Sequence, residues 1–90
     1  ALSLDPNNGF FLDTLGWVEF KRENYTSSVF YLEKSIMILP RSSEVMDHLG
    51  DCYLMLGRTK EAVYEWKKAL KYENNITVIN SIKDKLNKYE

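Results

Sequence analysis

Residues 46–70, MDHLGDCYLMLGRTKEAVYEWKKAL, repeat a pattern that begins thirty-four residues earlier in the same chain. Shifting the stretch back by one period places Gly50 on Gly16 and Leu49 on Leu15. The same shift pairs Met46 with Leu12, Leu54 with Phe20, Ala62 with Ser28, Trp66 with Leu32, Ala69 with Ser35, Leu70 with Ile36 and Pro40 with Pro6. A period of this size predicts a stack of helix pairs, each of which needs its neighbour to bury an apolar face.

The second copy carries a well-defined order of small and aromatic residues. Its recurring positions are Met46, Leu49, Gly50, Tyr53, Ala62, Trp66 and Ala69. This order resembles the tetratricopeptide repeat, in which Leu-Gly, tyrosine, alanine, an aromatic residue and a second alanine recur within thirty-four residues. The first copy is weaker, because Glu19 replaces the tyrosine and Ser28 and Ser35 replace the alanines. The resemblance covers nearly the whole chain and implies an all-α solenoid of antiparallel helix hairpins.

A narrower resemblance concerns several short motifs. They are Leu15-Gly16-Trp17, Asp47-His48-Leu49-Gly50-Asp51, Gly57-Arg58, Trp66-Lys67-Lys68-Ala69-Leu70 and Ile82-x3-Leu86. Together they look like the C-terminal repeats of larger bacterial tetratricopeptide repeat proteins, many of them associated with the cell envelope. The resemblance implies a bacterial protein that acts in the envelope or periplasm.

The period divides residues 1–90 into the parts of one domain. Residues 1–6 match the end of a repeat, because residues 35–40 occupy the equivalent place one period later. Residues 7–40 and 41–74 are the two repeats, and residues 75–90 form a C-terminal capping helix.

Turn and cap signals predict where the helices of the repeats begin and end. The Asn7–Gly9 turn starts a helix that ends near Arg22, and a second helix covers residues 25–39 before Pro40. Ser42 or Ser43 caps the third helix, which ends at Leu56, where Gly57 suits a left-handed C-terminal position. Thr59 caps the fourth helix, which ends near Glu73.

The capping helix is apolar on one side only. Its apolar stripe consists of Ile76, Ile79, Ile82 or Lys83, Leu86 and Tyr89, and its polar side of Asn80, Ser81, Asp84, Lys85, Asn87 and Lys88. Such a helix closes the open end of a repeat stack in water. We expect Lys83, Lys85 and Lys88 to lie on a solvated face.

The first helix of each repeat is expected to line a concave groove opposite its core stripe. The candidate groove residues are Phe10, Asp13, Trp17, Lys21, Glu44, Asp47, Asp51 and Met55. They predict an acidic surface with an aromatic edge, suited to a protein or peptide that offers basic and apolar groups. The alternative is a solvated face that packs only against an upstream repeat.

Related repeat domains that clamp a C-terminal carboxylate use Lys, Arg and Asn in this groove. The matching positions here carry Asp13, Trp17, Asp47 and Asp51. A carboxylate would be repelled, so we expect this activity to be absent.

Composition and motifs give little support for other functions. The net charge of −1 argues against nucleic-acid binding, and no apolar run is long enough for membrane insertion. His48 lies four residues from both Glu44 and Cys52, a spacing that can serve a metal or activate a thiol, but one helix supplies too few ligands and Cys52 leans toward the core. We therefore expect no enzyme activity, cofactor or metal. The sequons at Asn24 and Asn75 are interpreted as helix caps.

A structural role is the second hypothesis for the whole chain. The segment would then be the stabilising end of a longer solenoid, with contacts only to upstream repeats or to a second copy of itself. In that case the fragment would form a homodimer through its first helix pair.

Overall fold

Five helices form the part of the chain that the structure describes. The computed structural model describes residues 7–90, and no strand occurs in that range. The helices are α1 (Gly9–Lys21), α2 (Tyr25–Ile38), α3 (Ser43–Met55), α4 (Thr59–Leu70) and α5 (Ile76–Tyr89). The all-α prediction is confirmed. The interpretation of residues 1–6 as the end of an earlier repeat falls outside the described residues.

Side-chain caps start three of the helices. The Asn8 side chain accepts hydrogen bonds from the amides of Phe10 and Phe11, at 3.0 and 3.1 Å, and Ser42 accepts one from Val45 at 3.3 Å. Asn75 caps α5 in the same way. Each cap pairs an amide that has no acceptor within its helix.

Two predicted caps are wrong in detail. Thr59 is the first helical residue of α4, and the N-cap position belongs to Arg58, whose side chain makes no cap hydrogen bond. Asn24 occupies the N-cap of α2, but its side chain donates to Glu19 Oε2 at 2.9 Å instead.

The predicted end of the fourth helix also differs from the structure. The helix ends at Leu70 rather than near Glu73, because the Glu73 carboxylate accepts hydrogen bonds from the backbone amides of the next two residues and turns the chain.

The two glycines at the repeat period occupy equivalent surroundings. A Cβ atom added to Gly16 would lie 2.6 Å from Leu32 Cγ, and one added to Gly50 would overlap the Trp66 indole. Leu32 and Trp66 are themselves one period apart and are both fully buried. In each repeat the first helix therefore approaches the second closely at a glycine, as the sequence period predicts.

Small residues on the second helix of each repeat permit the same close approach. Ser28 and Ser35 on α2, and Ala62 and Ala69 on α4, are fully buried. The serine hydroxyls donate hydrogen bonds to backbone carbonyls of α1, from Ser28 to Gly16 at 2.6 Å and from Ser35 to Gly9 at 2.7 Å. A buried serine can take the place of alanine without leaving its hydroxyl unpaired when the hydroxyl donates to such a carbonyl.

The hairpins stack in chain order, α1 against α2, α2 against α3, α3 against α4 and α4 against α5. Ile82 and Leu86 of α5 join the core, and the Tyr89 ring centroid lies 6.0 Å from that of Trp66. Ile76, at the start of the predicted apolar stripe, is 66% exposed and takes no part. The capping helix thus covers the Trp66 side of the second repeat with its middle and end.

Candidate functional site

The eight predicted groove residues lie on α1 and α3, four on each helix, but they differ in exposure. Phe10, Lys21, Glu44 and Met55 are exposed; Trp17, Asp47 and Asp51 are half-buried; and Asp13 is buried. Of the more buried residues, Asp13 and Trp17 contact His48, and Asp47 and Asp51 contact Lys85 of α5. We call the surface formed by Asp13, Trp17, Glu44, Asp47, His48 and Asp51 the α1/α3 face.

Aromatic stacking holds the centre of the α1/α3 face. The Trp17 indole lies 4.0 Å from the His48 ring, centroid to centroid, at an interplanar angle of 17°. It also stacks on Phe20 at 4.5 Å and 5°. Trp17 was expected to project from the groove, and instead part of its surface is taken up by these two rings. The helical spacing of α1 cannot show this, because His48 comes from α3.

A second link between the helices joins Asp13 and His48. The Nδ1–H group of His48 donates to Asp13 Oδ1 at 2.8 Å, and both side chains are largely shielded from solvent. Glu44, one turn before His48 on α3, completes a cluster whose potential ligand atoms all lie within 4.8 Å of one another. Helical spacing along α3 places only Glu44 and Cys52 beside His48, and it cannot show Asp13, which belongs to α1. The repeat period is the signal that could have found it, since it places α1 beside α3.

The acidic pair on α3 has a partner within the chain. Lys85 Nζ of α5 lies 2.9 Å from Asp47 Oδ1 and 2.9 Å from Asp51 Oδ1. The expectation that Lys85 belongs to a solvated face is wrong, because α5 packs close enough to α3 for the side chain to reach the carboxylates. Two of the predicted acidic groove residues are therefore neutralised in part by the capping helix.

Burial shapes the titration of this ion-pair group. Burial raises the pKa of the Asp51 carboxyl above its ordinary value, against the opposing hydrogen bond from Lys85. Burial by itself would lower the pKa of Lys85, but its hydrogen bonds to Asp47 and Asp51 outweigh that effect, so the pKa of the ammonium lies above its ordinary value. Lys85 stays charged and fixed between the two carboxylates at neutral pH.

Cys52 lies in the core, as predicted. Its side chain is fully buried, and Sγ lies 3.0 Å from Ser28 Oγ. Burial raises the pKa of the thiol to about 11. Reactive cysteines have lowered pKa values and access to solvent, so this environment is that of a packing residue rather than a nucleophile.

No helix within residues 7–90 combines the length and the apolar character needed to cross a membrane.

Two comparisons with known proteins bear on this arrangement. Residues 43–76 match the family model described as the tetratricopeptide repeat. The matched segment covers α3, α4 and the first residue of α5. It therefore contains Gly50 and Trp66, together with His48, which contacts α1, and Asp47 and Asp51, which contact α5. A search of the curated proteins finds no match.

Proposed function

Because this chain carries a repeat of the tetratricopeptide repeat family at residues 43–76, we propose that it is a protein-interaction module whose α1/α3 face binds a peptide or helix of a partner. Tetratricopeptide repeats are generally non-enzymatic, and they bind proteins. The partner would offer both basic and apolar groups. This role needs no chemistry at Cys52, which fits its burial and its raised pKa.

The observation that supports this proposal is the half-buried Trp17, which stacks on Phe20 and on the His48 ring, and His48 in turn contacts Asp13. A partly exposed, already ordered tryptophan loses little side-chain entropy when a partner covers it. Phe10 and Met55 add exposed apolar surface on the same two helices, being 72% and 51% exposed. Glu44 remains exposed to receive a basic group.

Peptide binding to the intact chain tests this proposal. Fluorescently labelled basic amphipathic peptides are titrated with the wild type, and the variants Trp17→Ala and Glu44→Lys are compared with it. We expect Trp17→Ala to weaken binding by roughly thirtyfold, the loss typical of a tryptophan hot spot of about 2 kcal/mol. Glu44→Lys should weaken it because a repelling charge replaces an attracting one.

The matched control is Glu61→Lys, which changes the net charge equally but lies on α4. It should bind the peptides like the wild type. Glu44 is exposed, so Glu44→Lys also separates binding from folding in case Trp17→Ala loses stability. If the wild type and the three variants bind the peptides with equal affinity, the α1/α3 face is not the binding surface.

A second candidate function is self-association or stacking through the first hairpin. Cys52 of α3 is buried against Ser28 of α2, which belongs to the preceding helix pair. Val18 occupies the equivalent position on α1, one period earlier, and it is 46% exposed. Phe30 and Met37 on α2 are exposed as well, Met37 by 81%. Sedimentation at several concentrations tests this function: a dimer that dissociates in Val18→Glu supports it, and a monomer throughout contradicts it.

A further inference from the structure

Asp13, Glu44 and His48 bring three potential metal ligands together from two helices. Asp13 belongs to α1, and Glu44 and His48 stand one turn apart on α3. One carboxylate oxygen of each acid and one nitrogen of the imidazole lie within 4.8 Å of one another. Ligands bound at about 2.1 Å to one ion are at most about 4.2 Å apart, so a small movement of one side chain is enough to close the site.

The short contact between His48 and Asp13 shows where a cation would sit. The Nδ1–H group points at Asp13 Oδ1 across 2.8 Å, so a proton already bridges the imidazole and a buried carboxylate. A divalent ion at this place would bind Nδ1 while the ring proton moves to Nε2, so the imidazole stays neutral and the two carboxylates supply anionic oxygens. The two positive charges of the ion neutralise both carboxylates, which a single hydrogen bond does not do.

The neighbouring charges leave these carboxylates available. Lys85 of α5 pairs with Asp47 and Asp51, which lie one turn further along α3 from Glu44 and His48. Glu44 is exposed, so its side chain is free to rotate toward the ion. Asp13 and His48 are held in place by burial and by the Trp17 ring that stacks on the imidazole.

We propose that Asp13, Glu44 and His48 bind a divalent transition-metal ion of the zinc type, with solvent completing the coordination. Imidazole and carboxylate together suit such an ion, and three protein ligands with an open position are a familiar zinc arrangement. Ca²⁺ prefers about six to eight oxygen ligands and matches the set poorly. Because the ligands come from α1 and α3, the ion ties the two repeats together.

Zinc titration of the full chain, prepared without a histidine tag, tests the site. We expect calorimetry to show one saturable ion per chain. Removing a ligand in Glu44→Gln or His48→Gln should lower the affinity at least about tenfold. Binding should also change the fluorescence of Trp17, which touches the liganded ring.

Two control variants make the result specific. Glu61→Gln removes an exposed carboxylate from α4 and should leave zinc affinity unchanged. Cys52→Ala removes the only thiol and should do the same, because Cys52 is buried away from this set. Circular dichroism confirms that the variants fold, and Glu44, being exposed, is the safest of them. No saturable binding, binding that survives both ligand variants, or binding that depends on Cys52 would each overturn the proposal.

Discussion

Glu23 and Gly57 occupy the same place in the two repeats, one residue beyond the C-cap of the first helix. Both have positive φ angles, 63° and 77°. In each case the residue's amide and the next one bond back to helix carbonyls, as with Glu23 to Phe20 at 2.9 Å and Asn24 to Glu19 at 2.9 Å. This Schellman arrangement favours glycine, because a Cβ atom strains a left-handed backbone.

The pair gives a prediction in which the two substitutions act in opposite directions. Glu23→Gly should raise the free energy of unfolding by about 0.5–1 kcal/mol, and Gly57→Ala should lower it by about the same amount. A Cβ atom on Gly57 meets nothing within 4 Å, so the loss there is conformational and not steric. Urea denaturation measures both changes.

Glu23→Ala is the control, since it removes the carboxylate but keeps the Cβ atom. It should leave stability within about 0.5 kcal/mol of the wild type. If Glu23→Ala stabilises the protein as much as Glu23→Gly does, the side chain and not the backbone conformation is responsible.

Single residues also show how far the sequence could predict the structure. The left-handed turn was predicted at Gly57, because glycine favours that conformation. At the equivalent place in the first repeat, only the end of a helix near Arg22 was predicted. Ser28 and Ser35 were aligned with the two alanines of the second repeat, and both are fully buried as those alanines are. Their hydrogen bonds to Gly16 and Gly9 were not foreseen, because the acceptors are backbone carbonyls that carry no side-chain signature.

The capping helix is attached by an ion pair as well as by its apolar side. Ile82 and Leu86 supply the buried apolar contacts, and Lys85 joins Asp47 and Asp51 at sites that keep 27%, 19% and 21% of their side-chain surfaces exposed. Partly shielded ion pairs of this kind contribute more to the free energy of unfolding than surface pairs do, and removing one partner leaves the other charge unpaired. Lys85 thus fixes the position of α5 relative to α3.

Lys85→Met should lower the free energy of unfolding by about 1–2 kcal/mol, because the two aspartates then repel each other without a cation between them. Chemical denaturation of Lys85→Met, Asp51→Asn and the double variant gives the coupling energy. We expect the double variant to be more stable than Lys85→Met alone. Lys83→Met, on the exposed side of the same helix, is the control and should be nearly neutral.

The same variant has a defined pH dependence. Burial already raises the pKa of Asp51 in the folded protein, so the folded state binds the proton of the Asp51 carboxyl more tightly than the unfolded state does. Ionisation of Asp51 therefore lowers the free energy of unfolding as the pH rises through the folded pKa, and it lowers it further when Lys85 is absent. The stability deficit of Lys85→Met should shrink as the pH falls from neutral toward the ordinary pKa of an aspartate, about 4. A deficit independent of pH, or equal to that of Lys83→Met, would contradict the assignment.

Helices were easier to predict than the contacts between their polar faces. The caps at Asn8, Ser42 and Asn75 follow from side-chain chemistry next to each helix start. Lys85 was assigned to solvent and Asp13 to an open groove, because a helical pattern shows which side is apolar but not which charged groups a neighbouring helix brings. The ion pair and the Asp13–His48 link both cross between helices.

The core of the whole molecule is uneven along the stack. Residues buried almost completely come mainly from α3 and α4, such as Val45, Met46, Leu49 and Trp66, while α1 contributes Leu12 alone to the buried apolar set. Stability in a repeat stack is a sum over units and their interfaces, so an end helix with few buried apolar residues can open by itself. The period predicted this stacking, but it could not predict which repeat holds most of the core.

Native-state hydrogen exchange with a matched pair of glycine variants tests this uneven stability. In the wild type, the amides of α1 should exchange at least about tenfold faster than those of α3 and α4, after correction for intrinsic rates. Gly16→Ala crowds Leu32 and should speed exchange mainly in α1. Gly50→Ala crowds the buried Trp66 and should speed exchange throughout α3 and α4, because the main core is strained. Equal protection of all five helices, or the same exchange pattern in both variants, would mean that the chain unfolds as one cooperative unit rather than from its first hairpin.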